Sequence, residues 1–272
     1  MKDNAMILHR SLLRTTFAAA LLACTAHAAQ ADQLDDIRKS GKLRVAVAIG
    51  IPLFSFTDAA MEPTGSDVET ARELAKGLGV KLEVVPVTTA ARISTLQARR
   101  ADMTISVMSI TEERAKVVDF SVPYAAITII TAAPRDVKIA GYADLAGKRI
   151  GLTRATTNDT LTTKEAKGAE IMRYEDDATL ITSAVTGQVN IFSATPSTMD
   201  EINRRAPGKN FEIKFSQLDS PLGIALNKGE PRLKEWVDRW VAANLESGKL
   251  NQIYRKYHGR DMPSVVVKTA QN

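Results

Sequence analysis

The chain has 272 residues, 44% hydrophobic and 25% charged, with a formal net charge of +5. That is an ordinary globular composition, long enough for one large domain or two modest lobes. No block of like charge occurs, which argues against a nucleic-acid partner.

Residues 1–31 read as a signal peptide, outside the fold. Lys2, Arg10 and Arg14 form a basic start, Thr15 to Ala29 is an uncharged apolar run too short to span a bilayer comfortably, and Ala29-Gln30-Ala31 fits a small-residue cleavage site. Leu21-Leu22-Ala23-Cys24 is an imperfect lipobox, so lipid anchoring at Cys24 is the rival reading. Cleavage removes the only cysteine together with His9 and His27, leaving His258. The mature chain then has no disulfide, no thiol chemistry, and too few histidines and cysteines for a structural zinc site or a Ser-His-Asp triad. No metal and no cofactor are expected.

Asp32 to Ser40 predicts a short helix closed by Gly41, and Leu43–Val47 a first strand. A helix follows from Ser66 or Asp67 to Leu78, with Val68, Ala71, Leu74, Ala75 and Leu78 on one face. Lys81 to Val87 predicts a strand, and Ala90 to Arg100 a helix. Met103, Ile105 and Val107 then alternate with Thr104, Ser106 and Met108 as a third strand. Strand, helix, strand, helix, strand is the pattern of a mostly parallel sheet flanked by helices. Ile127 to Thr131 reads as a buried strand. A second copy of the pattern begins at Gly147, with a helix from Thr157, a strand at Glu170–Tyr174, a helix at Asp177–Thr186, a strand at Val189–Phe192 and a helix at Ser197–Arg205. Leu222 to Leu226 predicts a further strand, Pro231 opens an amphipathic helix to Leu245, and Leu250–Tyr257 forms a last helix. Trp236 and Trp240, four residues apart on the apolar face of the Pro231 helix, read as packing.

After the third strand, Thr111 suits a helix cap and Glu112 and Glu113 suit the first turn, but Arg114 places a cation at the wrong end of the helix dipole. Either Arg114 pairs with the two glutamates at the surface, or an anion sits there, held by the guanidinium, the Ser109 hydroxyl and free helix N–H groups.

The run Ser109-Ile110-Thr111, Arg114 and Asp119-Phe120-Ser121-Val122-Pro123-Tyr124 resembles the signature of the periplasmic polar-amino-acid-binding proteins of ABC importers, the extracellular solute-binding proteins of family three. Gly65-x-Asp67, Gly147-Lys148, Asp219 to Ala225 and Lys228-Gly229 follow in that family's order, and the resemblance covers essentially the whole mature chain. It implies an α/β fold of two lobes, each a mostly parallel sheet flanked by helices, with a ligand cleft between them. It implies lobe one from residues 32–125 and 223–272, lobe two from 126–222, and closure of the lobes on the ligand by hinge motion. It also favours the anion reading of Arg114, which with Ser109 would hold the ligand α-carboxylate beside Val107.

Thr156 and Thr157 open a helix just past a strand end, where open α/β sheets bind ligands. They resemble the family's Gly-Thr-Thr loop, although Ala155 stands where glycine is usual. Ile51 stands where an aromatic residue usually covers the ligand, and Thr195 where an aspartate usually meets the α-amine. Asp219 is the substitute acid closest in the pattern; failing that, the ligand is not a simple amino acid. The resemblance implies a monomeric periplasmic protein without catalysis that serves an inner-membrane ABC permease. One alternative is a cyclohexadienyl dehydratase-like enzyme, which needs a carboxylic acid in lobe two that Thr195 does not supply. The other is a receptor's sensor domain, which would need a membrane-spanning helix after it, and none is read before Asn272.

Overall fold

The computed structural model describes residues 32–263 and 266. The expected signal peptide, with Cys24, lies outside the described residues.

Helix α1 (Gln33–Ser40) buries Leu34 and Ile37 and leads through Gly41 into β1 (Lys42–Ala48). A small hairpin, β2 (Phe56–Thr57) and β3 (Pro63–Thr64), precedes α2 (Ser66–Leu78). The residues expected on the apolar face of α2 are all buried, and the helix stops where Gly79 takes a left-handed φ of 74°. β4 (Lys81–Val87) pairs in parallel with β1 along its whole length.

The helix expected over Ala90–Arg100 is shorter. Thr88 caps a 3-10 turn at Thr89–Ala91, and α3 spans only Arg92–Gln97. β5 is likewise reduced to Met103–Thr104, with the short α4 (Glu112–Ala115) and β6 (Asp119–Phe120) beyond it. β7 (Ala125–Pro134) enters the second sheet, which continues with β8 (Arg149–Thr153), α5 (Thr157–Glu165), β9 (Glu170–Tyr174), α6 (Asp177–Thr186), β10 (Phe192–Ala194) and α7 (Pro196–Arg205). β10 starts later than the expected Val189.

The strand expected at Leu222–Leu226 is two strands. β11 (Phe211–Leu222) is a long partner of β7, and β12 (Ala225–Leu226) belongs to the first sheet. Between them the Gly223 N–H donates to the Met108 carbonyl. The first sheet has the order β4-β1-β5-β12-β6 and the second β11-β7-β10-β8-β9. Each is parallel in its βαβ part and antiparallel where the chain returns through β12 or through β7 and β11.

This is a two-lobed α/β fold. The largest apolar cluster, with Val45, Leu74 and Met103, covers the first sheet and takes in α8 (Pro231–Glu246) and α9 (Lys249–His258). The second sheet has an apolar cluster on each face, one around Phe192 and Leu180, the other around Ile150 and Leu145. Consecutive residues of β7 serve different clusters: Ile129 packs in the first lobe's cluster and Ile130 in the second's. Trp236 and Trp240 pack as expected, partly buried against the first cluster.

Candidate functional site

The third expected strand leaves the sheet after Thr104, and the chain there forms a strained turn. Val107 has φ 46°, a conformation costly for a β-branched residue. Three side chains hold it. Its N–H donates to Oδ2 of Asp67 at 2.8 Å, and the Tyr124 hydroxyl donates to Oδ1 of the same carboxyl at 2.8 Å. Arg92 grips the other side, its Nη1 donating to the carbonyls of Ser106 at 2.6 Å and Val107 at 3.1 Å, and its Nε to Thr89 at 2.8 Å. Both charged groups are buried. Burial pushes the Asp67 acid up to about 7, against the pull of its two hydrogen bonds and of Arg92.

Thr111 caps α4 as expected, its hydroxyl accepting the Arg114 N–H at 3.2 Å, so that N–H is not free for an anion. The Arg114 side chain turns into the cleft instead of pairing with Glu112 or Glu113. Nη1 donates to the Ser109 carbonyl at 3.0 Å and Nη2 to the Ala155 carbonyl of the opposite lobe at 3.1 Å. Desolvation, followed by repulsion from Arg92, pushes the Arg114 pKa down to about 9, so it stays a cation at neutral pH.

The facing wall is built from helix starts at strand ends. Ala155 adopts φ 56°, the left-handed conformation a glycine would take freely. Thr156 caps α5 by accepting the Asp159 N–H at 3.2 Å. The buried Thr157 hydroxyl has no hydrogen-bond partner among the described residues. Thr195 caps α7 by accepting the Thr198 N–H at 3.3 Å, so its oxygen is already engaged.

One cavity of about 40 Å³ is lined by Ile51, Val107, Ser109, Arg114, Thr156, Thr157 and Thr195. Asp219 is not among its lining residues. It lies exposed on β11, where register sets it opposite Thr128, whose hydroxyl donates to it at 2.7 Å. The acid in the cavity is Asp177, which sequence reasoning missed. Its Oδ2 accepts the Thr89 hydroxyl across the cleft at 2.9 Å. Burial raises the Asp177 pKa, with the Thr89 bond and then Arg92 working against it. A signal was present: Asp176 alone caps α6, accepting the Thr179 N–H at 2.8 Å, which leaves the second aspartate of the pair without a capping role. Arg92, also in the cavity, was legible by the dipole argument used for Arg114, since it too opens a helix. Two guanidiniums and one carboxylic acid thus converge on one small polar space.

The family model for bacterial extracellular solute-binding proteins, family 3, matches residues 43–260. The chain belongs to that family. Among family 3 relatives, the L-cystine-binding protein TcyJ of Escherichia coli is 28% identical over 94% of this chain and 97% of its own length. The cyclohexadienyl dehydratase of Pseudomonas aeruginosa is 29% identical over 89% of this chain and 92% of its own. Among solved structures, a mutant of ArgBP from T. maritima superposes with a TM-score of 0.77 at 28% identity, covering 84% of this chain and 100% of that one. An ancestral amino acid-binding protein described as a precursor of cyclohexadienyl dehydratase gives 0.74 at 31% identity, covering 82% and 98%.

Proposed function

We propose that this protein captures a free amino acid between its lobes and delivers it to an ABC permease, without altering it. The single observation carrying this reading is the cavity's charge arrangement. Arg92 and Arg114 repel each other across it, and an α-carboxylate relieves that repulsion, while Asp177 supplies the counter-charge for an α-ammonium. The amino acid-binding relatives support it. In this reading lobe one is residues 32–125 and 223–272, lobe two is 126–222, and the protein acts as a periplasmic monomer. In this reading the ligand meets Arg114, Ser109, Val107, Thr156, Thr157, Thr195 and Ile51, which line the cavity, with Asp177 in place of Asp219. The test is a thermal-shift screen of the mature protein against amino acids, opines, keto acids and dicarboxylates. A ligand at 100 times its dissociation constant adds about 2.7 kcal/mol. A screen in which only non-amine acids shift the melting point overturns the amino-acid reading.

A second reading has one observation in its favour. A carboxyl of raised pKa in lobe two is what a general acid requires, and Asp177 is such a group, beside a carboxylate-binding guanidinium. Together with the dehydratase relative this keeps an eliminating enzyme in view. Incubation with prephenate or arogenate decides it: turnover abolished by Asp177→Asn supports the enzyme, and recovery of unchanged substrate rejects it.

A further inference from the structure

The cavity at Arg114, about 40 Å³, is room for a few waters, each needing roughly 10–15 Å³ of such space. It suits an amino-acid head group, so a long side chain has to leave it. Two larger spaces lie in the cleft. One, of about 410 Å³ beside Pro52 and Ile181, shares no lining residue with the head-group cavity. The other, of about 270 Å³, shares Ile127 and Thr195 with it. Those two residues therefore mark the passage a side chain would follow.

The second space is polar. Asp200, one turn into α7, and Arg260, just past Gly259 at the end of α9, both line it. They carry opposite charges, and Arg260 partly offsets the desolvation of the Asp200 carboxyl. His258 lines the same space but is stacked flat on Tyr254, 3.9 Å between ring centres. Burial and then Arg260 push the His258 pKa down to about 4, so the ring adds no third charge at neutral pH. An acid from α7 and a cation from beyond α9, lining one space, complement a zwitterion better than either a lone cation or a lone anion.

We infer that the cleft takes a two-headed amino acid: one α-amino-carboxylate head at Arg114 and Asp177, a chain passing Ile127 and Thr195, and a second head at Asp200 and Arg260. The inference rests on the amino-acid reading of the cleft and adds a distal subsite to it.

Calorimetry with L-cystathionine and L-methionine tests it. Both have a thioether chain, but only the first ends in a second head. The wild-type protein is expected to bind L-cystathionine about tenfold or more tightly than L-methionine, the worth of one charge-assisted hydrogen bond. Asp200→Asn and Arg260→Gln are each expected to shrink that ratio while leaving L-methionine affinity unchanged, which also shows that the variants are folded. L-Methionine binding with no preference for L-cystathionine, or a preference that survives both substitutions together, overturns the distal subsite alone. Failure of both probes to bind overturns the distal subsite too, while the amino-acid reading stands or falls by the thermal-shift screen.

Discussion

Arg114 and Ala155 are joined across the cleft by one hydrogen bond, Nη2 to the carbonyl oxygen at 3.1 Å, while Nη1 stays on the Ser109 carbonyl at 3.0 Å. The guanidinium fork therefore spans both walls. Ala155 presents its carbonyl from a left-handed conformation, φ 56°, which costs an alanine roughly 1–2 kcal/mol. Thr89 with Asp177, and the Ala90 N–H with the Glu175 carbonyl, make the neighbouring links. Arg114→Ala is expected to weaken ligand binding by about 2–5 kcal/mol, on the order of thirtyfold or more, with the fold intact. Arg114→Lys should not restore it, because an ammonium lacks the planar fork that reaches two carbonyls and a ligand together. Titration calorimetry checks both; unchanged affinity in Arg114→Ala would exclude this site.

Gly65 is where the fold tolerates no side chain. It has φ 116° and ψ 170°, and a Cβ there would lie 2.3 Å from the Phe54 carbonyl oxygen and 2.8 Å from the Ser55 nitrogen. Those are backbone atoms, so no rotamer relieves the clash. Gly65→Ala should cost about 3 kcal/mol or more, a steric overlap added to a conformation open in practice only to glycine. Urea unfolding checks this. A loss below about 1 kcal/mol would mean that the loop carrying Phe54 moves aside freely.

Two buried groups give folding stability opposite pH slopes. Asp67 is raised from 3.8 to about 7 by burial. Its contribution is full below about pH 3.8 and is lost as pH rises through 7. His258 is lowered from 6.5 to about 4, so its contribution is full above 6.5 and is lost as pH falls through 4. The two largely cancel between pH 4 and 6.5 in the wild-type protein. Relative to wild type, ligand-free His258→Gln should lose stability as pH rises across that interval, and Asp67→Asn should gain it. Each slope is bounded by about 1.4 kcal/mol per pH unit. Urea midpoints across the interval measure it, and coincident profiles for all three proteins would show that neither group titrates as described.

What the sequence made legible follows from how local each signal is. The face of α2 and the capped Thr111 and Thr156 were readable because each depends on residues within a few positions. β11 was not, because the alternation of Phe211, Ile213 and Phe215 with Glu212, Lys214 and Ser216 is brief, and register shifts after Ile213 and after Ser216 break the pattern. The strand exists because β7 pairs with it over ten registers, a contact between distant segments. The turn at Val107 hid for the same reason: it looked like continuing strand, and only Asp67, Tyr124 and Arg92, brought from elsewhere, hold it at positive φ. The acid was misplaced because Asp219 was chosen by its order in a motif. Strand register turned it to the surface, while the start of α6 carried Asp177 to the cleft.

That misplacement allows a direct test of what the carboxylate does. In Asp177→Asn the side chain can still accept the Thr89 hydroxyl, so the link across the cleft survives while the charge is lost. A charge-assisted hydrogen bond is worth about 1.5–3 kcal/mol and a neutral one about 1, so amino-acid affinity should fall by roughly two- to thirtyfold. A keto acid, having no ammonium, should lose nothing. Thr195→Asp supplies the complementary change. Aspartate caps a helix as well as threonine does, so the Thr198 N–H keeps its acceptor and α7 its start, while a carboxylate now lines the same cavity. In the wild-type background a second acid beside Asp177 adds like-charge repulsion and should bring little gain. In the Asp177→Asn background it should recover most of the lost amino-acid affinity. Calorimetry on the two single variants and the double variant separates the cases. A double variant no better than Asp177→Asn would mean that the ammonium is held by position and not by charge. An Asp177→Asn protein that binds amino acids at wild-type strength would remove Asp177 from the site altogether.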